Sequence, residues 1–253
     1  MQKLISIIIS TYNSADTLDT CLQSILIQKD ESIELLILDG LSSDKTIEVA
    51  KKYENYIDLI NSEPDNGIYD AWNKGIRLSN APWIMFVGSD DEIRPGSLER
   101  YKTAINSNSD VDYISGKNMI VNKHGKNLRE FGEAFSWKNF RSVMNMAHVS
   151  SLHNRRLYTK YGLYDDSYKI CGDYELLLRA GKDLKTTFID EILSNMTTGG
   201  VSYGSFEALK ESKIAKIRHK TKPHIHLYLE YIFSVFKLAL KRFLYKVRVI
   251  KDL

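Results

Sequence analysis

The sequence predicts an α/β fold: a mostly parallel sheet flanked by helices, followed by a C-terminal amphipathic helical extension. Three observations carry this expectation. Runs of β-branched residues alternate with helix-like periodicity over roughly the first hundred residues, the pattern of parallel strands joined by right-handed crossovers. Polar, turn-forming residues close each apolar run. Beyond Pro223, apolar residues recur at helical spacing among Lys and Arg.

The elements follow in order. Leu4 to Ser10 reads as a buried strand, rich in Ile. Ser14 is placed to cap a helix running to about Gln28, with Leu18, Leu22, Ile25 and Leu26 on its inner side. Ile33 to Leu38 is a second buried strand, ending at Asp39-Gly40. Ser43 opens a helix through Thr46, Val49 and Ala50, and Ile57 to Ile60 is a third strand. Asp70 to Leu78 reads as a helix and Trp83 to Val87 as a fourth strand. After residue 91 the pattern is mixed. A helix is predicted over Ser97 to Asn106, a strand over Val111 to Val121, a helix over Tyr168 to Gly181 and a strand over Thr186 to Ile189. A Lys-rich connector, 210–222, leads to the C-terminal helix.

Composition narrows the class. The 253 residues are 43% hydrophobic and 26% charged, the balance of a soluble globular chain. Cys21 and Cys171 are too few for a disulfide scaffold and lack metal-ligand spacing, so a reducing cytoplasm is the expected setting. The net charge of +3 is unevenly spread: residues 205–253 carry +8, leaving −5 on the first 204. A basic tail on an acidic body suits an anionic partner, such as a membrane surface. The acidic body argues against nucleic acid. No stretch reaches the ~18 uncharged apolar residues of a membrane span, and the apolar run Leu4 to Ile9 is too short for a signal peptide.

Open parallel sheets bind ligands outside the carboxyl ends of their strands. Polar residues gather at those ends: Ser10-Thr11-Tyr12-Asn13, then Asp39, then Ser62-Glu63-Pro64-Asp65-Asn66-Gly67, then Gly88-Ser89-Asp90-Asp91. Any one of these reads as a cap or turn; four in succession read as a binding crevice. Adjacent carboxylates such as Asp90 and Asp91 repel each other unless a cation joins them. Oxygen ligands favour Mg²⁺ or Mn²⁺, which complete their shell with phosphate oxygens and water, so a metal-bridged diphosphate suits the crevice. The turn after the first strand has no glycine, and no Lys-Ser/Thr phosphate loop occurs, which excludes the dinucleotide fingerprint and the P-loop.

The chain resembles the family 2 glycosyltransferases, which have the Rossmann-like GT-A fold, and within them the bacterial group that builds O-antigen and other surface polysaccharides. The resemblance rests on Ser6 to Asn13, Leu38-Asp39-Gly40, Ser42 to Thr46, Ser62 to Ala71, Asn73-Lys74-Gly75, Ser89-Asp90-Asp91, Gly172-Asp173-Tyr174-Glu175 and Gly199-Gly200-Val201-Ser202, in that order. It covers roughly residues 3–204 and implies a catalytic domain over 1–204 with a basic amphipathic tail over 205–253.

The resemblance also implies roles. Thr11, Tyr12 and Asn13 would line the nucleotide pocket, Tyr12 packing on the base. Asp39 would accept from the uracil N3–H, and Asp65 would lie beside base and ribose. Asp90 would contact the ribose or sugar, Asp91 would bind the divalent metal, Mn²⁺ or Mg²⁺, and Asp173 would be the general base of an inverting transfer. Many members carry Arg where this chain has Trp72, so that cationic contact to the nucleotide is either missing here or supplied by Lys74. Asp173 also reads as a helix N-cap. His148 reads equally as a satisfied core histidine or as a contact to acceptor or diphosphate. Gly199 and Gly200 read as a loop closing over the donor or as an ordinary turn.

The implied donor is a UDP-hexose, and the implied acceptor a polyprenyl-diphosphate-linked sugar. Apolar Ile225, Leu229, Ile232, Phe236, Ala239, Phe243, Val247 and Ile250 form one face of the last helix, with Glu230, Lys237, Lys241, Arg248 and Lys251 opposite. This suits an interfacial helix on the inner face of the cytoplasmic membrane. A helix docked on the body, or on a second copy in a homodimer, is the competing reading. Two other functions compete with transfer: a sugar nucleotidyltransferase, which would normally show a glycine-rich phosphate loop, and a non-catalytic sugar-nucleotide-binding relative.

Overall fold

The computed structural model describes residues 2–199 and 205–251, with side chains described through residue 244. The chain opens as β1 (Ile5–Thr11), α1 (Leu18–Leu26), β2 (Ile33–Asp39), α2 (Thr46–Lys51), β3 (Leu59–Ser62), α3 (Ile68–Leu78) and β4 (Trp83–Gly88). β1 pairs in parallel with β2 and β4, and β2 with β3, as the alternating pattern requires. The period of two in β1 divides the core. Ile5, Ile7 and Ile9 face Leu18, Leu22 and Ile25 of α1, whereas Ile8 faces Ile76 of α3 on the other side. Each such side chain, fully buried, contributes about 1.5–3 kcal/mol.

The second half builds a mixed extension. β5 (Glu92–Ile93) and α4 (Ser97–Ser107) lead to β6 (Tyr113–Val121), β7 (Asn127–Phe131), α5 (Trp137–Phe140), β8 (Ser151–Asn154), α6 (Arg155–Tyr161), α7 (Gly172–Ala180) and β9 (Thr186–Thr197). Among the described residues the sheet order is β3-β2-β1-β4-β8-β6-β9-β5, with β7 paired to β6. β8 is antiparallel to both β4 and β6, and β6 and β9 are parallel.

Several expected boundaries move, each for a local reason. α1 begins at Leu18, not near Ser14, because Ser14 forms a turn: its carbonyl accepts the Thr17 and Leu18 N–H groups and its own N–H donates to Thr46 Oγ1. α2 begins at Thr46 rather than Ser43, because Asp44 Oδ1 accepts the Thr46 N–H at 2.9 Å. β3 lies two residues later than predicted, and α7 starts at Gly172 rather than Tyr168. β9 continues eight residues past Ile189 to Thr197; the charged Asp190-Glu191 that ends the apolar pattern is exposed and bridges to Lys117 and Arg100.

Most of the Lys-rich stretch is helix: 210–218 belong to α8 (Phe206–Arg218), and only the residues from 219 on connect it to the last helix. α8 buries Ala215 completely against the core cluster that includes Tyr174 and Leu177 of α7. α9 (His224–Lys251) then follows Pro223 as predicted. Its inner side buries Leu227, and Glu230 pairs with Lys216 and Lys222. Ile225, Leu229, Ile232, Phe236 and Phe243 are 58–64% exposed, so the predicted apolar stripe faces away from the body. The side chains of Val247, Arg248, Ile250 and Lys251 lie outside those described. Among the described residues, no helix is long and apolar enough to cross a membrane.

Candidate active site

Strand register assembles the first part of the site. Thr11, Asp39 and Ser62 are direct neighbours across β1, β2 and β3. Asp39 is buried and accepts four hydrogen bonds. Thr11 Oγ1 and Ser42 Oγ donate to Oδ1, and the Ser42 N–H and Ser62 Oγ donate to Oδ2. Burial by itself would raise its carboxyl; the hydroxyl and amide donors outweigh burial and hold it below the usual carboxylate value. A base amide reaching Asp39 must therefore displace one of these hydroxyls.

Asp65 Oδ1 accepts the Gly67 N–H at 2.9 Å, and its Oδ2 lies over Gly40, 2.5 Å from where a Cβ there would sit. This contact brings the β2 end and the β3–α3 loop together. Asn13, at φ 50°, donates its N–H to Ser42 Oγ and accepts from the Ser43 N–H, joining the first two loops. Tyr12 projects from this rim, 68% exposed, free to meet a planar ring. Lys74 is held by Glu63 at 3.1 Å, Asp70 at 3.6 Å and the Pro64 carbonyl at 2.7 Å, so it braces the Asp65 loop. Asn73 exchanges two hydrogen bonds with the Tyr164 backbone, a structural task.

The second part is the turn after β4. A Cβ on Gly88 would lie 2.6 Å from Asp91 Oδ2 and 3.0 Å from Asp90 Oδ1, so both carboxyls converge on a cradle that only glycine leaves open. Asp91 is buried, and burial together with the neighbouring Asp90 charge pushes its carboxyl up to about 8. Asp90 keeps part of its side chain in solvent while the turn shields the rest, and that partial desolvation raises its carboxyl as well. No group of three or more acidic, His or Cys side chains fit to hold a metal exists among the described residues. The convergent pair fits a cation held by one or two carboxylates, with its remaining positions open to phosphate oxygens and water.

Thr197, which the sequence reading missed, locks this turn from the end of β9. Its N–H donates to Asp91 Oδ1 at 3.0 Å and its hydroxyl to the Asp90 carbonyl at 2.7 Å. Thr197 also lines a cavity of about 490 Å³ with His148, Asp173 and Gly199. Gly200 lies outside the described residues.

Asp173 occupies the first turn of α7, two residues after the N-cap Cys171, so the N-cap expectation is corrected. Its Oδ1 accepts the Tyr174 N–H at 2.8 Å; the Tyr69 hydroxyl, whose shorter hydrogen bond goes to the Ile170 carbonyl at 2.7 Å, lies 3.3 Å away. Gly172 lets the Tyr69 ring approach: a Cβ there would fall 2.8 Å from it. Glu211 of α8 captures the chain just ahead of Asp173, accepting the N–H groups of Lys169, Ile170 and Cys171, each at 2.9 Å. Tyr69 lies in the resembling stretch Ser62 to Ala71 but had no role assigned there, and nothing in the sequence pattern marked Glu211.

His148 stacks on Trp72 with centroids 4.7 Å apart and planes 4° from parallel. Burial lowers its imidazole, against the pull of Asp173, and its Nε2 is enclosed without a hydrogen-bond partner. Trp72 donates its Nε1–H to Ser10 Oγ at 3.2 Å and supports this imidazole.

Convergent carboxyls at the parallel strand ends on one side, and the cavity lined by Asp173 on the other, frame a crevice where such sheets bind their ligands. The chain belongs to glycosyl transferase family 2, whose model matches residues 6–161. It is similar to a "PGL/p-HBAD biosynthesis glycosyltransferase" of Mycobacterium bovis, 28% identical over 219 residues, covering 84% of this chain and 81% of the relative. Among solved structures it is similar to S. aureus TarS 1–349 in complex with UDP-GlcNAc, at TM-score 0.68 and 18% identity, covering 92% of this chain and 71% of the other. It is also similar to the mannosyltransferase PcManGT of Pyrobaculum calidifontis in complex with GDP-Man and Mn²⁺, at TM-score 0.67 and 14% identity, covering 95% and 74%. The fold is therefore GT-A, and the protein is a glycosyltransferase.

Proposed function

We propose that the protein transfers a hexose, with inversion, from a UDP-sugar to a hydroxyl of a lipid-linked oligosaccharide during surface-polysaccharide assembly such as that of O-antigen. The observation that carries this is the juxtaposition, through Thr197, of the Asp90–Asp91 turn and the cavity lined by Asp173. The nucleotide-sugar complexes of the two structural neighbours support a donor of this class.

Thr11, Tyr12, Asn13, Asp39 and Asp65 form the nucleoside side of the crevice, and Lys74 keeps its third loop in place. Asp91, with Asp90 beside it, would hold Mn²⁺ or Mg²⁺, which supplies Lewis-acid stabilisation of the departing diphosphate. Asp173 Oδ1 is engaged by Tyr174 and Tyr69, which orient the carboxylate and leave Oδ2 for the acceptor hydroxyl. Asp173 takes the hydroxyl proton as that oxygen attacks the anomeric carbon opposite the diphosphate. An α-linked donor then gives a β-glycoside.

The catalytic domain is taken as 1–204 and the tail as 205–253, with Glu211 making the first tail helix a brace of the catalytic carboxylate's loop. The outward apolar stripe of α9, flanked by Lys237 and Lys241, suits insertion at an anionic inner-leaflet surface, where a lipid-linked acceptor resides. The competing occupant of this stripe is a second copy of the chain. Calorimetry with UDP-, GDP-, CMP- and TDP-sugars, with Mn²⁺ and then EDTA, tests the donor reading. Metal-dependent binding of a UDP-sugar is expected; binding of a GDP- or CMP-sugar alone would remove Asp39 as the acceptor of a uracil N3–H.

A further inference from the structure

The β6–β7 hairpin stands at the edge of the crevice. β6 runs parallel to β9, Val121 pairs with Thr197, and the Thr198 N–H donates to the Val121 carbonyl at 2.8 Å. Thr197 in turn holds Asp91. The residues after Val121 therefore leave the sheet at the same edge as the Asp90–Asp91 turn. The tip is ordered: Gly125 turns at φ 74°, and Asn122 Oδ1 accepts the His124 and Lys126 N–H groups, both at 3.0 Å. The chain returns as β7, where Arg129 and Phe131 line the cavity that Asp173 also lines.

The charge of this hairpin is one-sided. Residues 122–129 include Lys123, Lys126 and Arg129 and no acid, on a body whose first 204 residues carry −5. All three cations are exposed, and among the described residues none of them pairs with a carboxylate. Glu130, the next acid along the strand, pairs with Lys117 at 3.8 Å, and Asp190 pairs with the same lysine. The stretch 200–204 carries no acid either. Arg129 is already placed: its guanidinium lies over the Phe131 ring, 5.4 Å from the centroid. That contact orders the side chain and leaves its N–H edge to a ligand.

Cations gathered without a counter-charge repel one another and gain from an anion among them. Phosphate suits this set, since Arg grips its oxygens in pairs and Lys meets them as a point charge. Asp173 repels an anion from its own end of the cavity, and the donor diphosphate belongs at the Asp90–Asp91 turn. An anion at the hairpin therefore arrives with the other substrate. The same cavity is walled by Ala208, Leu209 and Ser212 of α8, the helix tied to α9 through Lys216 and Glu230.

We propose that the β6–β7 hairpin is a phosphate-binding site for the acceptor: Lys123, Lys126 and Arg129 hold the phosphate that joins the acceptor sugar to its lipid, while a sugar hydroxyl reaches Asp173. This rests on the reading of Asp173 as the acceptor-side carboxylate, and it narrows the acceptor from any glycolipid to one with a phosphate close to the accepting sugar.

The test uses the full chain saturated with Mn²⁺ and UDP, titrated by calorimetry with geranyl phosphate and with geraniol, the same Mn²⁺ buffer in cell and syringe. Geranyl phosphate is expected to bind at least about tenfold tighter than the alcohol. The triple variant Lys123→Ser, Lys126→Ser, Arg129→Gln alters exposed side chains only. It is expected to remove that preference with Tm and UDP affinity retained. Equal binding of phosphate and alcohol, or an unchanged preference in the variant, would overturn the proposal. So would a variant that loses UDP affinity, which would assign the cations to the donor. Loss of sedimentation with phosphatidylglycerol vesicles, with geranyl phosphate affinity kept, would assign them to bilayer headgroups and overturn it as well. A parent that binds no UDP with Mn²⁺ would instead overturn the donor reading, and the same two probes without nucleotide then decide the hairpin.

Discussion

Replacing Asp91 by Asn should make the protein more stable and inactive. The native fold keeps the Asp91 carboxyl protonated until about pH 8, whereas the unfolded chain releases that proton near 3.8. Between these values the folded state binds more protons, so stability falls as pH rises. The interval from 3.8 to pH 7, at about 1.36 kcal/mol per pH unit, comes to a ceiling of about 4 kcal/mol. Asn is uncharged throughout, and its side-chain oxygen can still accept the Thr197 N–H. For a chain of this size the gain corresponds to a rise in Tm on the order of 10 °C at pH 7. Thermal unfolding of both proteins without metal, at pH 4, 5.5, 7 and 8, reads the effect directly. The difference should be near zero at pH 4 and grow to pH 8. Adding Mn²⁺ with UDP should stabilise the parent and not the variant. A variant no more stable at pH 7, or a difference independent of pH, would refute the picture of a buried, protonated carboxyl awaiting a cation.

Other consequences follow from the same geometry. The apparent Mn²⁺ affinity, measured by calorimetry with UDP present, should rise up to about tenfold per pH unit from 6 to 8 and level above, because Asp91 must lose its proton to bind. Asp173→Asn should lower kcat by about 10²–10⁴ with UDP affinity unchanged; near-normal turnover would remove Asp173 from the mechanism. Glu211→Ala leaves three backbone N–H groups without their acceptor and should lower kcat at least tenfold at constant donor affinity, with partial recovery in Glu211→Gln. Phe236→Glu with Phe243→Glu should abolish sedimentation with phosphatidylglycerol vesicles; unchanged pelleting would turn the argument towards a helix–helix contact between copies.

The acidic and hydroxyl residues at the strand ends were legible because the signals are local. A β-branched run, its terminating turn and the carboxylate within it lie inside a few residues, and parallel strands carry those ends to one edge. Asp39, Asp65, Asp90 and Asp91 follow from that alone, and so does the helix after Pro223. Helix starts were less legible. The side chains of Ser14 and Asp44 compete for backbone N–H groups, and contacts between the first two loops decide the winner.

Other features depended on chain segments far apart. Thr197 reaches Asp91 across 106 residues, and Glu211 reaches the α7 entry across about forty, through strands and helices whose pairing no short window encodes. The Lys-rich stretch read as a connector because its buried side, centred on Ala215, is small, and small residues leave little periodic signal. His148 stood between two readings until Trp72 appeared beneath it and its Nε2 was found enclosed beside the cavity. Sequence alone therefore determined the sheet, the crevice edge and the carboxylates, all set by local periodicity and turn chemistry. Burial, and with it the raised Asp91 carboxyl and the lowered His148 imidazole, came from the tertiary structure. Desolvation is a property of everything packed around a group rather than of its neighbours along the chain.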